Sequence, residues 1–302
     1  MQPTPPFVSV IVPVLNGERT IKECLVSLLR TDYPPERREI LVVDNGSTDR
    51  TAEIVKGFPV TLLREENPGA AAARNRGIEA SRGEVLAFTD ADCVVTSGWL
   101  RELVGGFEDA TTAGVAGDSI PGYLPVTPPE RYAARVGSHT YRTRLNSPLS
   151  PFVDTANVAF HREVFQRIGF FDTRLLAMED IDFSWRFFRE ADMKLRYNPR
   201  AIVFHRPRST AWGFFSQHFG YGRGLAILQK KYPARLPWSW RQELRAWGAV
   251  GGFAWLTVQA AIRYGLRGGE KMEVYDAYFT FLRKLAVRQG FLWAKPGSRD
   301  SR

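Results

Sequence analysis

Only two cysteines occur in the 302 residues. Cys24 and Cys93 are too few and too far apart for a disulfide framework or a Cys-x-x-Cys metal clip. They read as two small buried hydrophobes in a reducing compartment. Histidine is scarce too: the four, at positions 139, 161, 205 and 218, form no His-x-x-x-His pair. Any metal must therefore be held largely by carboxylates. The first residues, Met1-Gln2-Pro3-Thr4-Pro5-Pro6, lack the basic start and apolar core of an export signal. Between Arg245 and Arg263 run 17 residues without a charge. That is the lower limit for a membrane-spanning helix, and Gly248, Gly251 and Gly252 weaken it further. Burial, or lying in the membrane interface, fits this stretch better than spanning. No internal repeat, low-complexity tract, zinc spacing, helix-turn-helix or RNA-binding signature is present, which argues against a nucleic-acid partner.

What is present is 44% hydrophobic residues, enough to bury a sizeable core, and a net charge of +9 that hides a division. From Arg200 onwards there are 18 basic and 5 acidic residues, against 23 basic and 27 acidic before it. Six of the eight tryptophans also lie in that last third. A mildly acidic front and a basic, tryptophan-rich back suggest two jobs, the second at an anionic surface such as a phospholipid membrane or a lipid phosphate. The expected location is cytoplasmic, peripheral at the inner face of the cell membrane.

The front half alternates between two periodicities. Val8 to Val12 is a short continuous apolar run that predicts a strand buried on both faces, and Ile40 to Val43, Val60 to Leu63 and Val85 to Phe88 predict three more strands. Between them, Ile21, Leu25, Leu28 and Leu29 fall at helical spacing behind Thr20 and Glu23, a candidate capping box. Ser47-Thr48-Asp49 offers caps for a helix through Val55, and Ala70 to Ala80 and Trp99 to Phe107 predict two more. After a Gly/Pro-rich stretch from Pro121 to Pro129, a polar helix is predicted around Arg131 to Leu145. A strand from Asn157 to Phe160, a helix from Glu179 and a short extended pair ending at His205 follow. Strand–helix alternation at this spacing builds an α/β fold with a mostly parallel sheet flanked by helices. Ligands in such sheets bind beyond the carboxyl ends of the strands.

Those ends are polar. Asp90-Ala91-Asp92 sets two carboxylates at alternate positions past an apolar strand, where both can turn toward one hard cation, although the tripeptide alone equally makes a turn. Asp44 ends another strand and could accept hydrogen bonds from a base or ribose; an Asx turn is the simpler account of it alone. Glu179-Asp180-Ile181-Asp182 opens a helix whose apolar residues lie on two faces, so the helix is deeply buried. One acid there could be a cap, but three exceed what a cap needs, and a partly desolvated carboxylate makes a general base. His205 ends an apolar run and could complete a metal shell. Gly220-Tyr221-Gly222-Arg223-Gly224 lacks dinucleotide-binding spacing and reads as a flexible helix junction.

Singly these signals are weak, but their order is specific. Val10 to Asn16, Val42 to Asp49, Asn67-Pro68-Gly69, Ala73-Arg74-Asn75-Arg76-Gly77 and Phe88 to Asp92 together resemble the family-2 inverting glycosyltransferases. Thr155-Ala156-Asn157, Gly169-Phe170-Phe171-Asp172, Glu179 to Asp182, Pro199 and His205 continue the pattern, so the resemblance covers residues 7–206. It implies the GT-A nucleotide-diphospho-sugar transferase fold with a catalytic domain over 1–206: a nucleotide-sugar half at 7–120, an acceptor half at 121–206. A basic helical region at 207–302 would follow. It also implies that Pro13, Val14, Asn16 and Asp44 meet the nucleoside, Arg74 the diphosphate, and Asp90 the ribose or, through water, the metal. Asp92 and His205 would ligate Mn2+ or Mg2+, Asp180 would be the base, and Asn157 and Glu179 would lie on the acceptor side. The implied partners are a nucleotide-sugar donor and a saccharide or lipid-linked acceptor, with an inverted product. Gln217-His218-Phe219-Gly220-Tyr221 lacks the Arg and Trp of processive synthases, so one-step transfer is expected. A sugar nucleotidyltransferase would need a Gly-rich triphosphate loop near the amino terminus, which is absent. A non-catalytic sugar-nucleotide or membrane-binding protein of the same fold is the alternative.

Overall fold

The computed structural model describes residues 4–109, 111–122, 125–136, 149–190, 192–267 and 271–294. They form two compact units, one from residues 1–123 with 138–206, the other from 124–137 with 207–302. The first unit is built on an eight-stranded sheet. Its strands in chain order are β1 (Val8–Val14), β2 (Arg38–Asp44), β3 (Thr61–Arg64), β4 (Val85–Phe88), β5 (Cys93–Val95), β6 (Thr112–Pro121), β7 (Val158–His161) and β8 (Lys194–His205). Across the sheet they run β3-β2-β1-β4-β7-β6-β8-β5.

The four strands expected from apolar runs, β1 to β4, pair in parallel, and their carboxyl ends therefore share one edge. The other half is mixed: β7 runs antiparallel to β4 and β6, β8 parallel to β6, and β5 antiparallel to β8. Pro13 is tolerated inside β1 because β4 pairs with β1 only from Val8 to Ile11. Past Ile11 the missing N–H costs no ladder bond on that side.

Among the described residues, α1 (Ile21–Leu29), α2 (Thr51–Lys56), α3 (Ala70–Ala80), α4 (Trp99–Gly105), α6 (Arg162–Ile168) and α7 (Glu179–Phe187) flank this sheet and its loops, with α5 (Pro128–Val136) assigned to the second unit. The capping box expected at α1 does not form: the Thr20 hydroxyl donates to the Gly17 carbonyl at 3.4 Å, and Glu23 sits 3.6 Å from Arg206 instead. The helix expected over 131–145 begins earlier, at Pro128, and positions 137–145 lie outside the described residues.

Strand β6 has no counterpart in the expected elements. Its sequence, Thr-Ala-Gly-Val-Ala-Gly-Asp-Ser-Ile-Pro, lacks a run of branched apolar residues, yet it lies inside the sheet between β7 and β8. The reason is a close approach. A Cβ at Gly117 would lie 2.0 Å from the Ala201 carbonyl oxygen and 2.6 Å from the Asn157 amide nitrogen. Glycine makes room for Asn157, which is fully buried. Its Oδ1 accepts the Trp99 indole N–H at 2.8 Å, and its Nδ2 donates to the Asp118 and Ala201 carbonyls at 2.8 and 2.9 Å. One amide thus ties β6, β7, β8 and α4 together. Both ends of the Asn157 side chain, expected on the acceptor side, are thus engaged inside the sheet.

On one face of the sheet, Phe88, Phe160, Phe165, Phe171, Phe183 and Phe187 form an aromatic cluster, with the Phe171 and Phe183 rings 4.7 Å apart. It seats α7 as a buried helix, as the two apolar faces implied. Behind the opposite face, Cys24 and Cys93 are both fully buried free thiols. Burial first, and then the nearby acids Asp90 and Asp92, push both thiols up.

The second unit is helical: α5 with α8 (Ala211–Lys231), α9 (Trp240–Arg267) and α10 (Lys271–Trp293). Tyr132 of α5 stacks edge-on against Phe214 of α8 at 5.6 Å and lies 5.7 Å from Phe279 of α10. The glycine-rich stretch 220–224 is no junction but the middle of α8. A Cβ at Gly222 would lie 2.1 Å from the Val287 carbonyl oxygen, and one at Gly290 would lie 2.0 Å from that of Phe219. The two backbones are in direct contact. No helix among the described residues is long and apolar enough to cross a membrane.

Asn157→Ala would strand the Trp99 indole and two buried carbonyls. It should cost about 2–4 kcal/mol in urea unfolding; a loss below about 0.5 kcal/mol would contradict the tie described here.

Candidate active site

Because β1, β2 and β4 are parallel, the loops after them meet at one edge. Asn16, in left-handed backbone at φ 52, accepts the Thr48 N–H on Oδ1 at 2.9 Å, and its own N–H donates to the Ser47 hydroxyl at 2.9 Å. Asp44, 9% exposed, accepts the Ser47 N–H at 3.0 Å. The Asx turn is therefore real, and it fixes the carboxylate at the strand end. Asn45 extends the frame by donating to the Asn67 carbonyl and accepting the Gly69 N–H, both at 2.7 Å. Pro13 and Val14 are buried beneath these loops, and Leu15 is exposed at their rim.

Arg74 is the centre of charge. It projects from α3, is 3% exposed, and reaches two carboxylates from different parts of the chain. Its Nη2 donates to Asp90 Oδ1 at 2.7 Å, and its Nη1 pairs with Glu179 Oε1 at the start of α7. Its Nε is buried without a hydrogen-bond partner. Burial would lower its pKa, but Asp90, Glu179 and Asp180 together raise it. Arg74 was expected beside a diphosphate; here both its terminal nitrogens are engaged by protein acids.

Asp90 titrates above its ordinary range because of burial, with Asp92 and Asp154 adding to the rise and Arg74 and His205 opposing it. Asp180 is pushed up further, by burial and then by Glu179 and Asp154, against Arg74 and a hydrogen bond from the Ile181 N–H at 2.9 Å. Asp180, with its neighbour Glu179 tied to Arg74, is thus a half-buried carboxylate poised to hold a proton.

Asp154 was not expected from the sequence, yet it acts on both Asp90 and Asp180. It precedes β7 and accepts the Ala156 N–H at 2.9 Å, a turn role that disguises an acid aimed at the same site. The only signal available was its place one residue ahead of Thr155-Ala156-Asn157.

Asp92 and His205 meet because Cys93 pairs with His205 across β5 and β8. His205 Nε2 lies 3.5 Å from Asp92 Oδ1, and the Arg206 N–H donates to the Asp92 carbonyl at 2.9 Å. Among the described residues no three His, Cys, Asp or Glu side chains converge into a ready-made metal cage. A carboxylate and an imidazole do make two suitable donors for a borderline-hard divalent ion whose other positions are taken by a ligand or water.

A family model described as glycosyl transferase family 2 matches residues 9–169. The chain belongs to this family. Among curated relatives, the glycosyltransferase AglE of Haloferax volcanii is 34% identical over 198 residues, covering 62% of each chain. The pre-mycofactocin glycosyltransferase of Mycobacterium tuberculosis is 30% identical over 305 aligned positions, covering 95% of this chain. This chain spans 62% of the length of both. Among solved structures, the mannosyltransferase PcManGT of Pyrobaculum calidifontis, in complex with GDP-Man and Mn2+, superposes with a TM-score of 0.64 at 22% identity. The match covers 97% of this chain and 89% of that one, and the two share the GT-A fold.

Two predictions follow from the charge cluster. Arg74→Met leaves buried carboxylates uncompensated and should cost about 3–5 kcal/mol in urea unfolding. Asp180 has a folded pKa raised above its ordinary value of 3.8, so its contribution to stability is full below that value and is lost as pH climbs through the folded one. Asp180→Asn should therefore be more stable than the wild type at pH ~7, with the difference closing by pH ~4. Equal or lower stability of the variant at neutral pH would contradict the shift.

Proposed function

We propose that the chain moves a sugar from a nucleoside-diphosphate sugar to an acceptor hydroxyl, inverting the anomeric centre in a single displacement. The observation that carries this reading is the convergence of Asp90, Asp92, Asp154, Glu179, Asp180, Arg74 and His205 into one electrostatic neighbourhood at the carboxyl edge of the parallel strands. In a glycosyl transferase family 2 chain, that edge suits a nucleotide sugar.

Asp44, framed by the loops of Pro13, Val14 and Asn16, takes the nucleoside, accepting hydrogen bonds from base or ribose. Asp90 meets the ribose or, through water, the metal. Asp92 and His205 hold a divalent cation, Mn2+ or Mg2+, whose charge offsets that of the departing diphosphate. Asp180 takes the proton from the acceptor hydroxyl as its oxygen bonds to the anomeric carbon and the bond to the diphosphate oxygen breaks. A carboxylate whose proton affinity is raised by burial and by neighbouring acids is a stronger base than an ordinary one. Glu179, held by Arg74, fixes the start of α7, so Asp180 keeps its aim on the acceptor side. The acceptor is a lipid-linked saccharide met at the inner face of the cell membrane; the basic, tryptophan-rich second unit supports that choice.

The test is a thermal-shift screen of nucleoside diphosphates with and without Mn2+, followed by turnover of UDP- and GDP-sugars. One diphosphate should raise the midpoint in a Mn2+-dependent way, and Asp92→Ala should abolish that dependence. Asp180→Asn should keep the shift yet lose about 10²–10⁴-fold in kcat. No shift with any diphosphate, together with no turnover when membrane lipid extract is added, would sink the reading.

A further inference from the structure

Helix α9 is two-sided. Along one line Trp240, Leu244, Trp255, Val258, Ile262 and Leu266 recur at steps that return to one face of a helix, and all are between 48% and 80% exposed. On the opposite side Val250 and Ala260 are buried, Lys284 of α10 lies over the Phe253 ring at 5.2 Å, and Glu243 pairs with Arg288 at 2.9 Å. The inner face is thus fastened to α10 while the outer one presents large apolar side chains to solvent over about 40 Å of helix.

Charge lies beside that apolar line, not across it. Arg241 and Arg245 are one turn apart, and Arg263 follows Arg245 after about five turns, so the three exposed arginines edge the same side of the stripe. On the inner face, by contrast, Ala246 and Ala249 line a cavity of about 260 Å³ with His218, Arg283, Lys284 and Arg288. An apolar face with tryptophans, edged by exposed arginines, is complementary to acyl chains under a layer of phosphates. Although α9 is long enough, it is not apolar enough to cross a membrane, and its one-sided stripe fits the interfacial plane. A second copy fits worse: from Arg200 onwards the chain carries 18 basic and 5 acidic residues, so copies meet like charge.

We infer that the outer face of α9 docks on an anionic phospholipid surface, lying in the headgroup plane with Trp240 and Trp255 among the acyl chains and the arginine edge on the phosphates. This gives the membrane side of the proposed function its contact surface. The test below needs neither donor nor acceptor, so its failure leaves the transfer chemistry standing.

The full chain is sedimented with vesicles of phosphatidylcholine alone and of phosphatidylcholine mixed with phosphatidylglycerol, at low and high salt. Two variants accompany it, Leu244→Glu/Trp255→Glu and Arg241→Gln/Arg245→Gln/Arg263→Gln, each checked for an unchanged thermal midpoint. The wild type should bind the anionic vesicles, more weakly at high salt. The arginine variant should bind them on the order of 100-fold more weakly, and the glutamate variant should stay in the supernatant. Three outcomes overturn the inference. These are a wild type that remains in the supernatant at low salt, two variants that both bind as it does, and light scattering without lipid that reveals a dimer separated by Leu244→Glu/Trp255→Glu, which makes the face a self-interface.

Discussion

One buried guanidinium holds this site together. Arg74 spans from Asp90, at the end of a parallel strand, to Glu179, at the start of a helix roughly a hundred residues later, and both partners are largely removed from water. Without a cation between them, acids from β4, from the turn before β7 and from α7 would repel one another in a poorly solvated space. With it, the cluster stays folded while Asp180 keeps a raised affinity for its proton. The same contact links the strand that leads to Asp92 with the helix that carries Asp180. Stability and chemistry therefore share one ion pair.

The sheet makes that contact possible. Its parallel half delivers loops to one edge, and its mixed half, locked through Asn157, returns β8 so that His205 arrives beside Asp92. The aromatic cluster then seats α7 against the sheet. Each of these is a packing constraint, yet together they fix where Asp180 and the Asp92–His205 pair stand.

How much of this could be read in the sequence depended on what marked each segment. Strands β1, β2 and β4 announce themselves as apolar runs because both their faces are largely buried, whereas β3 is a half-exposed edge strand, and the helix from Ala70 to Ala80 keeps the expected bounds. Strand β6 gave no such sign, since its place in the sheet rests on small residues that let neighbours approach. The pair of segments expected before His205 is a single strand with a register shift, interrupted in sequence by Pro199. Gly222 suggested looseness but serves contact between helix backbones. The site acids Asp90, Asp92, Glu179 and Asp180 were legible from their clustering at element ends. Asp154 was not, because an acid beside a turn looks ordinary until distant residues are brought against it. The partner of Arg74 was equally invisible: nothing local says that an arginine on α3 will face the start of α7.

The two thiols close off one kind of chemistry. Cys24 and Cys93 sit behind the Asp90–Asp92 loop, shut away from water and biased toward the protonated form. Neither thiol is accordingly open to thiol-directed alkylating or oxidising reagents in the folded chain, which needs no reductant to keep them reduced. A single cysteine introduced on an exposed position of the second unit would be the one reactive thiol in the folded protein, ready to carry a dye or spin label without any native residue first being removed.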